Sequence, residues 1–450
     1  MRVEPWLDRA AATDPDRVAI HTPARGLTYR ELRAAADDVA RSLAERVHPG
    51  ERVAIALPAG AEFAVALHGV LRAGAIAVPV DLRLGARERA RVQAGAALVL
   101  EEPIGPGRGS SASPDSSDPE AHAGGGHDLD AAAVVVHTSG SGGEPKPVEL
   151  TYGNWLWGAL GSSVALGVDR DERWLCALPV AHVGGLSILL RSTIYATTAI
   201  VHERFEVEAV LEELMSPDGP TLVSLVPTTL ERLLAAGLHE PPRLRCALLG
   251  GGPVAPALVA RARAAGVPVS QTYGLTEACS QVTTQPVLGS LGDGSERGDA
   301  GPPLFCTRVG LGADGEILVA GPTVAPAALG ADGWLHTGDL GQLTDGRLRV
   351  VGRKADTIIS GGENVVPAEV EAVLIEHPAV ADAAVFGRPD ARWGEAVAAI
   401  VVLAPSQRAT AEELRRHCAA RLAPFQVPKA FSFTERLPRT PSGKLLRREL

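Results

Sequence analysis

The chain is poor in cysteine: five in 450 residues, at positions 176, 246, 279, 306 and 418, scattered and without a CxxC pair. An odd, unpaired set excludes a disulfide scaffold and suits a reducing compartment, so a cytoplasmic protein is expected. The opening residues MRVEPWLDRA carry charges and a proline where a secretory signal needs an apolar core. Long apolar runs are missing too. The best candidate, Thr151 to Val168, contains four glycines, Asn154 and two serines, which predicts a soluble helix and loop instead of a membrane span. Positive charge is in deficit, with 43 Lys and Arg against 53 Asp and Glu and a formal net charge of −10. That sign excludes nucleic acid as a general partner but leaves room for small anions, which need only a local cluster of donors. No internal repeat is present.

What is there belongs to a globular protein, with 46% apolar and 21% charged residues and enough length for two or three domains. From Leu27 to Asp81 helical and strand patterns alternate. TYRELRAAADDVARSLAERV reads as a helix capped by Thr28, with Glu31 completing a capping box. ERVAIAL reads as a strand, AEFAVALHGVLRAG as a helix closed by Gly74, and AIAVPV as a further strand. Such alternation predicts an α/β fold, with mainly parallel sheets and flanking helices. Residues 101–129 are Gly, Ser, Pro and Asp with little apolar content, and are expected to form a flexible surface linker. His122 and His127 within it lack any Cys or carboxylate at metal-ligand spacing, so a solvated loop is expected there. Past Gly352 the texture changes. Pro367 opens a helix with Val366, Val370, Val373 and Leu374 on one face; DAAVFG and AVAAIVVL read as strands, and Ala411 to Leu422 as a helix. A small α+β C-terminal domain therefore follows a large one, with the boundary near Gly352–Asp356.

Three loops invite a phosphorylated ligand. The strand VVV runs into HTSGSGGEPKP, with hydroxyls at Thr138, Ser139 and Ser141, glycines at 140, 142 and 143, and Lys146. Glycines let main-chain N–H groups converge on an anion, and hydroxyls add donors. It is not a Walker A loop, since Lys146 lies between two prolines. Taken alone, a polar surface turn is an equal reading. The same grammar recurs where RCALLGGGPVAP runs into Gly250–Gly252, and where VPVSQTYGLTEACSQ runs into Thr272, Tyr273 and Gly274, followed by Thr276 and Glu277. Ligands gather at the carboxyl ends of parallel strands, where such loops meet. Tyr273 offers a flat face for a base and Glu277 a carboxylate for a hard cation. In GWLHTGDLG, Asp339 sits in a predicted tight loop, suited to ribose hydroxyls.

These stretches, with GRKADTIISGGEN and the closing PRTPSGK, resemble the signature motifs of the adenylate-forming superfamily: acyl-CoA synthetases, luciferases and the adenylation domains of peptide synthetases. The motifs stand in the expected order over nearly the whole chain. PVAHVGGLSILLRSTIY, LLGGGPVAP and YGLTEACSQ are most similar to the o-succinylbenzoate–CoA ligases of menaquinone biosynthesis. The resemblance implies an ATP-dependent acid–thiol ligase that makes an acyl-adenylate and pyrophosphate, then transfers the acyl group to coenzyme A with release of AMP. Its partners would be a small carboxylic acid, ATP with Mg²⁺, and coenzyme A; a homo-oligomer is left open. Carried over by motif, Thr138–Lys146 would wrap the β- and γ-phosphates, and Glu277, with Thr138, would hold Mg²⁺. Gly251, Gly252, Pro253 and Tyr273, flanked by Thr272, Gly274 and Thr276, would border the nucleotide, with Asp339 and Arg353 on the ribose.

By the same resemblance Lys444 would bridge the α-phosphate and the attacking carboxylate, although a lysine six residues from the chain end is ordinarily solvated. A hinge at 353–356 would divide domain 1–352 from domain 357–450, and Gly361 and Gly362 would line a coenzyme A channel, which agrees with their being a plain turn. His182, Arg191, Ser280 and Gln281 are the polar candidates for the acyl pocket. For Arg191 a solvated helix-face position is the more ordinary reading; for His182 a core histidine and a pocket wall stand level. Three positions depart from the family pattern: Gly142 in place of a hydroxyl residue, Pro147 in place of glycine, and Ala355 where Asp or Lys is usual at the hinge. Other aryl- or fatty-acyl-CoA synthetases, a stand-alone amino-acid adenylating enzyme and a non-catalytic nucleotide-binding homologue are the alternatives.

Overall fold

A computed structural model describes residues 1–105, 126–139, 145–287, 298–439 and 445–450. The chain packs as two compact units, one of residues Met1–Val309 with Val319–Leu335, the other of Gly310–Leu318 with His336–Leu450. The meander of strands Arg308–Leu311, Glu316–Ala320, Leu335–Thr344 and Arg347–Arg353 thus falls mostly in the second unit.

The first unit holds two sheets. In the larger, the strands Val269–Leu275, Cys246–Leu249, Leu222–Leu225, Arg173–Cys176, Thr198–Val201 and Val18–His21 lie side by side and parallel. Antiparallel strands Ser280–Thr284 and Gly26–Thr28 close its two edges. In the smaller, Leu98–Leu100, Arg52–Ile55, Ile76–Pro79 and Ala132–Ser139 run parallel, and Pro145–Thr151 forms an antiparallel edge. Parallel strands must be covered on both faces, and they are: Val134, Val135 and Val136 are all fully buried. The helix Tyr29–Ala44 begins at Thr28 with the expected capping box, Thr28 Oγ1 accepting from Glu31 N–H at 3.2 Å and Glu31 accepting from Thr28 N–H at 2.8 Å. Its buried stripe of Tyr29, Leu32, Ala36, Val39 and Leu43 packs on the helix Ala61–Arg72. Among the described residues no helix is long and apolar enough to cross a membrane; Tyr152–Leu166 is one helix of this unit.

The linker reading of 101–129 needs correcting at its end. His127 and Asp128 pair with Arg2 and Val3, and His127 is buried. Its ring stacks on Tyr152 at 4.2 Å and meets the edge of Trp6 at 4.8 Å. A neutral imidazole serves there as a flat core side chain, which composition alone does not reveal. His122 lies outside the described residues.

Burial gives this unit a pH dependence. It pushes His68, whose Nε2 is 3.1 Å from Thr193 Oγ1, down to about 3 from the ordinary 6.5, and His127 down to about 4. Below pH 6.5 the unfolded chain takes up protons that the folded one refuses, so stability present above that pH is lost as pH falls toward 4. The slope approaches about 1.4 kcal/mol per pH unit for each histidine. Between pH 6.5 and 5, where most carboxylates stay ionised, urea unfolding midpoints should fall steadily, and His68→Gln should flatten the decline; a level profile would refute it.

In the second unit the long hairpin Val380–Asp390 and Gly394–Leu403 carries Ile358–Ser360 and Ala430–Phe433 beside it. The helices Pro367–Ile375 and Ala411–Ala419 cover it, with Val370, Leu374, Leu414 and Cys418 fully buried. Pro367 stands at the first helical turn as read from sequence. The second helix ends at Ala419, three residues before Leu422.

Candidate active site

In the first unit the candidate residues lie at the carboxyl ends of the parallel strands. The strand Ala132–Ser139 extends through Thr138 and Ser139, which pair with Lys146 and Pro145 on the returning strand. Thr138, Ser139 and Lys146 are therefore strand ends, where a loop was expected; Gly140, Ser141, Gly142 and Gly143 lie outside the described residues. Lys146 is exposed and has no acidic partner among the described residues. Pro147 faces His137 on the sheet's edge strand, the position at which a missing N–H is tolerated.

Gly251, Gly252 and Pro253 follow the strand Cys246–Leu249 and are exposed. Thr272, Tyr273 and Gly274 belong to the strand Val269–Leu275, again where a loop was expected. Antiparallel pairing with Ser280–Thr284 extends it, and a shift of register falls between Tyr273 and Gly274. Gly274 is required there: a Cβ would lie 1.7 Å from the carbonyl oxygen of Ser280. Thr272 Oγ1 donates to the Thr283 carbonyl at 2.7 Å, so that hydroxyl is committed to the sheet. Thr276 and Glu277 form a single turn of 3₁₀ helix, held where the Glu277 carbonyl accepts from Ala325 N–H at 2.8 Å. The Glu277 carboxylate is half-buried and has no cation beside it among the described residues. One such carboxylate fits Mg²⁺ carried on phosphates, which keeps most of its own water. A cage of three or more His, Cys, Asp or Glu does not occur among the described residues.

The turn after Glu277 is strained. Cys279 and Ser280 adopt φ of 53° and 91°, values that non-glycine residues seldom hold and that cluster at functional sites. Beside it lies Arg191, on the helix Val183–Tyr195. The solvated-arginine reading is wrong: Arg191 is 2% exposed. Its guanidinium donates to Gln281 Oε1 and lies 5.9 Å from the Trp174 ring, while Gln281 Nε2 donates to Thr284 Oγ1 at 2.8 Å. No carboxylate pairs with Arg191 among the described residues, and burial lowers its pKa below the arginine norm. A buried cation without a counter-charge is costly unless an anion arrives. His182, directly before that helix, is partly exposed, so the core-histidine reading is excluded. Its Nε2 lies 3.4 Å from Asp81 Oδ2 and 3.3 Å from Arg83 Nη2, two partners that motif matching missed.

In the second unit Asp339 lies within the strand Leu335–Thr344, a further departure from the expected loop, and is registered opposite Arg353. Arg353 Nε is 3.0 Å from Asp339 Oδ1. Lys354 begins the 3₁₀ turn Lys354–Asp356 and pairs with Asp314 at 2.5 Å and Glu316 at 3.2 Å. Gly361 has φ +64°, and a Cβ there would meet the Trp393 ring at 2.8 Å; Gly362 borders open space. Arg392 and Lys429 lie over the Trp393 indole at 4.8 and 5.7 Å. A half-exposed indole with two cations suits a base joined to phosphate. Trp393 was not read from sequence. Lys444 lies outside the described residues. On either side of that segment Arg439 and Leu445 form an antiparallel bridge, and Arg447 pairs with Glu371 at 2.8 Å and Asp356 at 3.0 Å.

Donor-rich strand ends, an unneutralised carboxylate and a buried arginine make a chain equipped for a phosphorylated ligand and a second anion. Family comparison agrees. The AMP-binding enzyme family matches residues 7–327, and the AMP-binding enzyme C-terminal domain matches 369–444. The chain belongs to this family of AMP-binding enzymes. Over 480 residues it is 38% identical to 2-succinylbenzoate–CoA ligase of Bacillus subtilis (strain 168), covering 99% of this chain and 97% of that one. The solved structure of o-succinylbenzoate CoA synthetase from Bacillus subtilis in complex with the acyl-adenylate intermediate OSB-AMP superposes with a TM-score of 0.87. Identity there is 35%, covering 100% of this chain and 98% of that one. The same synthetase in complex with ATP and magnesium ion gives a TM-score of 0.86 at 35% identity, covering 100% of both chains.

Proposed function

We propose that this chain is an AMP-forming acid–thiol ligase acting on o-succinylbenzoate. A carboxylate oxygen of the acid attacks the α-phosphorus of ATP, the bond to pyrophosphate breaks, and acyl-adenylate remains. The thiolate of coenzyme A then attacks the acyl carbon, and AMP leaves. The first step gathers negative charge on the α-phosphate and the departing pyrophosphate, so catalysis rests on placed positive charge and N–H donors. Lys146 and the donors of 138–143 hold the β- and γ-phosphates, and Glu277 holds the Mg²⁺ that ATP brings, which neutralises phosphate charge when bound. Gly251, Gly252, Pro253 and Tyr273 border the adenine, and Asp339 and Arg353 meet the ribose. Lys444 supplies the mobile charge of the first step. The hinge at 353–356 removes it for the second, which Gly361, Gly362 and the cation-flanked Trp393 serve by receiving coenzyme A.

The observation that carries the choice of acid is Arg191. o-Succinylbenzoate has two carboxylates, one activated and one to be bound unreacted. A buried guanidinium with no anion of its own, set beside Gln281 and the strained Ser280, is what the second one requires. The similarity to the Bacillus ligase supports the same choice. The test is a panel of carboxylic acids assayed for AMP formation dependent on ATP and coenzyme A. o-Succinylbenzoate should exceed benzoate and a medium-chain fatty acid by about 10² or more in kcat/KM, as a buried charge pair demands. Turnover of benzoate or the fatty acid without o-succinylbenzoate would overturn the assignment.

A further inference from the structure

Asp81 closes the stretch RAGAIAVPVD and no role was read for it from sequence, yet its carboxylate accepts three hydrogen bonds. Arg83 donates to it three times: Nε to Oδ1 at 2.8 Å, Nη2 to Oδ2 at 2.6 Å, and main-chain N–H to Oδ1 at 3.0 Å. The remaining side of Oδ2 faces His182 Nε2 at 3.4 Å. Burial opposes ionisation of Asp81, but the bonds from Arg83 prevail and hold it far below the usual carboxylate range.

The place of this cluster gives it meaning. Asp81 follows Ile76–Pro79 of the five-stranded sheet, whose neighbour in parallel register is the strand ending at Ser139. His182 follows Arg173–Cys176 of the eight-stranded sheet and directly precedes the helix that carries Arg191. The contact therefore joins the carboxyl ends of the two sheets, where the ligand-facing loops lie. The hydrogen-bond and ion-pair partners of the His182 ring among the described residues, Arg83 and Asp81, both lie at Nε2. Arg83 can only donate, so its Nη2, held by Asp81 and 3.3 Å from Nε2, selects the tautomer whose proton is on Nδ1.

We propose that Asp81 is a positioning residue for the acyl site: it fixes Arg83, whose Nη2–H donates to His182 Nε2, so that Nδ1–H donates to an oxygen of the bound carboxylic acid. The proposal rests on the reading of His182 as an acyl-site residue. Kinetics of full-length Asp81→Asn, His182→Asn and the double variant, with o-succinylbenzoate and ATP varied separately, test it. Each single variant should raise KM for o-succinylbenzoate by about 5- to 10-fold, the worth of one hydrogen bond, with KM for ATP and kcat within about twofold. The double variant should be no worse than His182→Asn alone, because both changes remove one interaction. Multiplying losses, or an equal rise in KM for ATP, would overturn it. An unchanged KM in His182→Asn would overturn the placement of His182 and the proposal with it, whereas a wild-type enzyme inert toward o-succinylbenzoate would refute the functional reading instead. Should Asp81→Asn not fold, Arg83→Gln takes its place, with the same non-additivity expected against His182→Asn and additivity counting against the proposal.

Discussion

Replacing Lys444 with alanine should abolish formation of acyl-adenylate while leaving thiol transfer from preformed acyl-adenylate within about twofold of wild type. In the proposed mechanism the first step loses the ammonium that draws the anionic carboxylate onto an anionic phosphate, a deficit of about 10²–10³ or more when a transition-state donor is removed. The second step has a different charge flow: AMP leaves as an already ionised phosphate, and the thiolate needs access more than a cation. A lysine, compact and on a flexible stem, suits a charge that acts in one half-reaction only. The substitution leaves the neighbouring pins intact, since Arg439 keeps Asp382 and Arg447 keeps Glu371 and Asp356. Pyrophosphate exchange reports the first step and synthetic acyl-adenylate with coenzyme A the second; equal loss of both would refute the two-conformation mechanism.

Replacing Arg191 with methionine should lower kcat/KM for o-succinylbenzoate by about 10²–10³, with KM for ATP unchanged. Removing one partner of a buried, hydrogen-bonded charge pair costs about 2–5 kcal/mol, or about 30- to 4,000-fold, which brackets that range. The sign for stability is opposite. Arg191 is 2% exposed and has no carboxylate beside it among the described residues, so the ligand-free protein bears an uncompensated cation. An apolar side chain of similar length should leave the melting temperature unchanged or raise it. Benzoate-like monoacids should lose nothing. A variant that melts much earlier and loses ATP affinity would mark Arg191 as a structural residue instead.

The parts of the fold legible in sequence were those written in local pattern. Thr28 and Glu31 announced a capped helix because both halves of the box lie within one turn. Alternating strands and helices announced parallel sheets. Thr138, Tyr273 and Asp339 were misread as loop residues for one shared reason: glycine and hydroxyl residues mark turns by composition, but pairing partners elsewhere in the chain keep these backbones extended. His127 was misread because its burial depends on Trp6 and Tyr152, which its neighbours in sequence do not indicate.

By itself the sequence determined the order of the motifs, and with it the family, the two-step chemistry expected of it and the lysine proposed for the first step, because these reside in residue type and spacing. Tertiary structure alone decided that Arg191 is a buried cation, and that Asp81, Arg83 and His182 cluster. Arg191 meets Gln281 across 90 positions, and Arg83 meets His182 across 99. The charge state and freedom of a side chain are set by what surrounds it in space, and no local pattern encodes neighbours that distant.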